Sequence, residues 1–179
     1  MAFKQGQKRG SLWEDAQIIA KIISEHGFNR TDKDEDEFEN SFSTVLDFNQ
    51  KNMTHKVYTQ KNRSTTVNSV YCFGKNNRPD MAIDEDGIAI ELKYIDSDLD
   101  RFRNAIGQSI VYRLAYRFVI LLLVVSDKNK QLYSDICTGK ESDMDKVLTH
   151  LADELNVFTF IVPAFKIKGN QKKLVSYFK

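Results

Sequence analysis

The sequence predicts an α/β domain in which helices flank a mixed β-sheet, and three observations carry that prediction. Segments with apolar residues at helical spacing alternate with short apolar runs rich in β-branched side chains. Two of those runs, 81–83 and 88–95, face each other across Asp84-Glu-Asp-Gly87, whose Asp-Gly pair signals a hairpin. The later runs at 118–125 and 157–162 lie beyond long crossovers, which demand parallel pairing.

The elements follow in order. Leu12, Ala16, Ile19, Ala20 and Ile23 fall at helical spacing, with Ser11 as the expected N-cap and His26-Gly27 as the stop. Phe38, Phe42, Val45, Leu46 and Phe48 have the same spacing behind an acidic block, 32–39, that suits a helix N-terminus. Residues 54–73 read as extended, with Val57, Tyr58, Thr65, Thr66, Val67, Val70 and Tyr71 supplying β-branched and aromatic side chains. The hairpin comes next, then a helix over about 98–116 and a buried strand at 118–125. Another helix spans roughly 141–155. A strand over 157–162 ends at Pro163, and 174–178 adds an edge strand.

A chain of 179 residues with no Pro- or Gly-rich linker and no repeat suits one domain. The longest apolar run, 118–125, is too short to span a bilayer, so no membrane partner is expected. The basic N-terminus has no apolar stretch after it and does not read as a secretory signal. Cys72 and Cys137 are too few for a disulfide scaffold or a cysteine-rich zinc site, which points to a reducing, cytoplasmic setting. Net charge is only +1, but basic residues cluster at 51–79, 101–117 and 161–179, and the last two stretches contain no acid. Such clustering can form a basic face that a polyphosphate needs.

Chemistry concentrates at the hairpin. Alternation places Glu91 and Lys93 on one face of their strand, and the return through 84–87 brings Asp80 beside Glu91. Charges in an otherwise apolar strand are costly unless they are paired. Two adjacent carboxylates resist joint ionisation unless a cation joins them. Mg²⁺ suits such oxygen donors, Mn²⁺ can substitute, and the Leu92 carbonyl offers a further ligand. A metal and a lysine at one site are equipment for phosphodiester cleavage. Lys93 would orient or deprotonate a water, or stabilise the transition state. Arg78, beside Pro79, stands where it could contact phosphate.

Arg78-Pro-Asp-Met-Ala-Ile83 followed by Ile90-Glu-Leu-Lys93 resembles the signature of the PD-(D/E)xK nuclease superfamily. The resemblance implies a restriction-endonuclease-like fold, with Asp80 and Glu91 as metal ligands and Lys93 as the catalytic lysine. Residues 8–28 are similar to the opening of archaeal-type Holliday junction resolvases. That similarity implies DNA contacts from Lys8 and Arg9, and a Glu14 that approaches the metal through water. Gln108 and Tyr112 resemble the QxxxY motif of RecB-type nucleases, and their spacing puts them on one helix face, within reach of substrate or catalytic groups. The implied activity is a DNA endonuclease, restriction-like or structure-selective, with a homodimer for two-strand cutting. A RecB-type exonuclease, a non-catalytic nucleic-acid-binding module and a structural ion-pair cluster are the alternatives. Residues 29–77 match no part of the pattern and read as an insertion or substrate-recognition region.

Overall fold

A computed structural model of the chain describes residues 3–26, 28, 34–60, 67–96, 98, 100–167 and 173–179. Gly27, Thr65 and Thr66, named above, lie outside them. The helices are α1 (Ser11–Glu25), α2 (Glu35–Asn49), α3 (Asp100–Tyr112), α4 (Lys130–Cys137) and α5 (Ser142–Glu154). The strands are β1 (Val57–Thr59), β2 (Val70–Cys72), β3 (Lys75–Asn77), β4 (Met81–Ile83), β5 (Ile88–Ile95), β6 (Phe118–Val125), β7 (Val157–Pro163) and β8 (Val175–Ser176). Six strands form one mixed sheet in the order β1-β4-β5-β6-β7-β8, and β2-β3 form a separate hairpin.

The centre of the sheet is parallel, β5-β6-β7, and its flanking strands are antiparallel. Every residue of β6 is buried, as a strand covered on both faces requires. One face carries Phe118, Phe158 and Tyr94. It is covered by Trp13 of α1, which packs on both phenylalanines, and by Phe38 of α2, which stacks on Tyr94 at 5.4 Å. The opposite face carries Glu91 and Lys93. There α3 lies over the sheet, and its Tyr112 reaches Glu91. The fold class predicted from periodicity, a mixed sheet flanked by helices, is the one observed.

Local details differ from expectation. Gly10, not Ser11, is the N-cap of α1, and no side chain caps that helix. The hairpin turn places Asp84, not Gly87, in the left-handed region, at φ +62°. Gly87 serves close packing instead: a Cβ there would sit 2.5 Å from the Ile83 carbonyl oxygen and 2.7 Å from Leu12. α4 was not expected, because eight residues give too few turns for a periodic signal. Among the described residues, no helix is long and apolar enough to cross a membrane.

Candidate active site at the end of strand β4

The site begins with a mismatch in strand length. β4 pairs with β5 only from Met81↔Ile90 to Ile83↔Ile88, because Pro79 and Asp80 end the shorter strand. Beyond Ile90 the outer edge of β5 has lost its neighbour, so its backbone donors and acceptors need other partners. Side chains supply them. Asp80 accepts from the Leu92 N–H at 2.7 Å, and Glu35 accepts from the Tyr94 N–H at 3.1 Å. Lys93 donates to the Leu92 carbonyl at 3.1 Å, and Arg101 donates to the Tyr94 carbonyl at 3.5 Å. The residues singled out for chemistry therefore also finish the strand edge.

Around this edge the charges converge. The Lys93 ammonium lies 2.9 Å from Glu91, 2.9 Å from Glu35 and 4.0 Å from Asp80. Asp80 and Glu91 thus share one face and one cation, as the hairpin geometry predicted. Glu91 is almost fully buried, with 1% of its surface exposed. Its other oxygen accepts from the Tyr112 hydroxyl at 2.9 Å, and that hydroxyl also lies 3.1 Å from the Arg78 carbonyl. Glu91 is consequently held from both sides.

The electrostatics follow from counting charges. Among the described residues, three carboxylates (Asp80, Glu91, Glu35) meet two cations, Lys93 and Arg101, the latter 3.9 Å from Glu35. Burial, with Asp80 beside it, pushes Glu91 up to about 7, against the pull of Lys93 and Tyr112. Burial works against the charge on Lys93, but Glu91, Asp80 and Glu35 outweigh it and hold that ammonium well above the ordinary lysine range. Burial and the neighbouring Glu91 likewise keep the Tyr112 hydroxyl protonated.

Glu35 is the residue that sequence reasoning missed. It was hidden in an acidic run where every carboxylate looked alike, yet a signal existed. The stripe Phe38, Phe42, Leu46, extended back by three residues, reaches Glu35. Asp34 caps α2 by accepting from the Glu37 N–H at 2.9 Å, which fixes the helix start against β5.

Other expected members stand elsewhere. Glu14 is exposed on α1 and takes no part in the hydrogen bonds or ion pairs of the cluster. Its neighbour Asp15 is the buried acid there, accepting from the N–H groups of Thr54 and His55. Lys8 and Arg9 precede α1, with Lys8 over the Phe158 ring on the face of the sheet opposite Glu91. Tyr112, expected to touch nucleic acid, is fully buried and instead positions Glu91. Arg78 is exposed at the rim, and Gln108 lines the groove described next.

That groove, about 760 Å³, opens over Lys93 between α3 and the β2-β3 hairpin. Its walls include Glu35, Lys75, Arg101, Arg103, Asn104 and Gln108. Among the described residues, no three His, Cys, Asp or Glu side chains form a ready-made metal set. Besides Glu35, which is taken up by Lys93 and the Tyr94 N–H, the oxygen donors gathered here are the carboxylates of Asp80 and Glu91 and the Leu92 carbonyl. They are hard oxygen donors. Such a set fits Mg²⁺ or Mn²⁺, which complete their coordination with water. No protein-family model, curated protein or solved structure matches this chain.

Proposed function

We propose that the chain is a metal-dependent nuclease of the PD-(D/E)xK type on a restriction-endonuclease-like fold, hydrolysing DNA phosphodiester bonds. One observation carries the reading: Asp80 and Glu91 converge on Lys93 at the end of β4, and Lys93 lines an open groove together with Lys75, Arg101 and Arg103. Asp80, Glu91 and the Leu92 carbonyl would hold the metal. When bound, Mg²⁺ or Mn²⁺ supplies positive charge to a phosphate oxygen and lowers the pKa of a bound water. The chain's residues do the rest. Tyr112 fixes the aim of Glu91, and the Leu92 N–H fixes that of Asp80. Lys93, kept protonated by its acids, stabilises developing negative charge instead of accepting a proton. Lys75, Arg101 and Arg103 face the groove where a phosphate backbone would run. Cutting both strands of a duplex calls for two such sites, hence a homodimer.

A specific observation favours a second reading. Lys93 already balances acids and closes the strand edge, so the same residues would suffice as a structural ion-pair cluster. One experiment separates the two. The chain is incubated with duplex, single-stranded and branched DNA, and with RNA, in Mg²⁺, Mn²⁺ or EDTA. The nuclease reading expects DNA cleavage that EDTA abolishes; absence of metal-dependent cleavage on every substrate leaves the structural reading.

Metal binding should also depend on pH in a defined direction. The folded chain holds the Glu91 proton more tightly than the unfolded chain, since about 7 lies above the ordinary 4.5. Without metal, that contribution to stability is present below about pH 4.5 and is lost as pH rises through about 7. A metal must displace the same proton. Affinity for Mn²⁺, measured by titration calorimetry, is therefore expected to be about tenfold weaker at pH 6 than at pH 8. A flat profile across that interval would remove Glu91 from the ligand set.

A further inference from the structure

The β2-β3 hairpin carries a phenylalanine in a place that a phenylalanine does not favour. Cys72 pairs with Lys75, so Phe73 and Gly74 form a two-residue turn, and both are left-handed, at φ +51° and +76°. Turns of this kind select Asn, Asp or Gly, and a bulky side chain at positive φ is strained. Burial does not compensate, since Phe73 is 89% exposed. The rest of the hairpin is firmly built. The Asn77 amide, itself buried, donates to the carbonyls of Val70, Cys72 and Lys75 at 3.2 Å each. Val70 is buried beneath it, and both strands pack against α3. A rigid support thus presents an exposed aromatic ring in an unfavourable conformation, which is where a ligand contact is to be sought.

The surroundings of the ring specify the ligand. Phe73 lines the groove that holds Lys93, on the same wall as Lys75 and across from Arg101 and Arg103 of α3. An aromatic ring beside a track of cations matches a nucleic-acid strand: phosphates run along the cations and a base stacks on the ring. In a continuous duplex each base face is covered by its neighbours, so only an unpaired base offers a free face.

We infer that Phe73 is a stacking platform for an unpaired base, and that the groove takes DNA with unpaired nucleotides beside the Asp80–Glu91–Lys93 cluster in preference to continuous duplex. The inference rests on reading the groove as a nucleic-acid site, but not on the cutting chemistry. Cys72 and Gly74 only shape the turn. Tyr71, 72% exposed on the same hairpin, is not among the residues lining the groove and serves as the internal control.

The test measures binding of the full chain in EDTA to a continuous duplex and to a gapped duplex with 2-aminopurine in the gap. Wild-type protein is expected to prefer the gapped duplex by about tenfold and to quench the 2-aminopurine on binding. Phe73→Asn relieves the backbone, so its Tm should rise while its affinity for gapped DNA falls by about tenfold. Its affinity for continuous duplex should stay unchanged, and Tyr71→Ala should behave as wild type. A Phe73→Asn protein that keeps the preference and the quenching overturns the inference, whether or not the chain cuts DNA. If wild type fails to cleave with metal while the Phe73-dependent preference holds, the stacking site stands and the nuclease reading falls.

Discussion

On the proposed nuclease reading, Lys93→Ala is expected to lower metal-dependent DNA cleavage by about 10³-fold, the scale on which a lost charge-stabilising group acts. Among the described residues, the ammonium is the one cation that ion-pairs with both Asp80 and Glu91. The substitution should also cost stability, and by an amount that grows with pH. With Lys93 gone, Glu91, Asp80 and Glu35 repel one another, and Glu91 escapes by holding its proton. Below about pH 6 the loss is therefore smaller, limited to the contacts of Lys93 with Glu35, Asp80 and the Leu92 carbonyl. Above pH 8 the acids must ionise unpaired, and the loss approaches about 3 kcal/mol, as for a broken buried ion pair. Cleavage assays with Mg²⁺ and thermal melts across that pH range check both halves. Wild-type cleavage by the variant removes Lys93 from the chemistry; a pH-independent loss of stability removes the charge argument.

Arg113→Met is expected to be the most damaging substitution for the fold, at about 3–5 kcal/mol. Arg113 is 3% exposed, and its guanidinium donates to the backbone carbonyls of Leu155, Tyr116 and Lys4. Those carbonyls belong to the end of α5, the turn before β6 and the N-terminal segment. One side chain thus ties together parts of the chain up to 109 residues away from it. Methionine fills much of the volume but donates nothing, leaving three acceptors without this donor. Burial lowers Arg113 to about 10, still well above neutral pH, so it remains charged in the interior. Against a total stability of roughly 5–15 kcal/mol, such a loss is large. Urea denaturation measures it, and a change below about 1 kcal/mol would mean that water replaces the guanidinium.

Arg113 also marks the limit of what the sequence made legible. Arg101, Arg103, Arg113 and Arg117 form an acid-free run and read together as a basic face. The helix and its exit turn divide them: Arg101 and Arg103 line the groove while meeting Glu35 and Asp100, Arg113 turns inward, and Arg117 approaches Asp86. Charge counting along a chain ignores the 100° step between helical neighbours. The hairpin fared better because strand alternation and a four-residue turn are local rules, and they suffice to place Asp80, Glu91 and Lys93 together. Glu35 escaped because its partner lies 58 residues away, and no local period encodes that meeting. Tyr112 was placed on one helix face with Gln108, but whether a face looks inward or outward depends on what covers it. Here the sheet does, and the tyrosine became a support for Glu91.

The early end of β4 has a consequence beyond chemistry. An apolar strand such as Ile88–Ile95, left with open N–H groups along part of one side, is a template onto which a strand from another molecule can dock. Asp80 and Glu35 occupy those N–H groups and bring negative charge to the opening, so an incoming strand finds neither donors nor a neutral surface. The acids that serve the candidate site are thereby also guards against aggregation. Neutral substitutions chosen to probe the site would remove that protection as well.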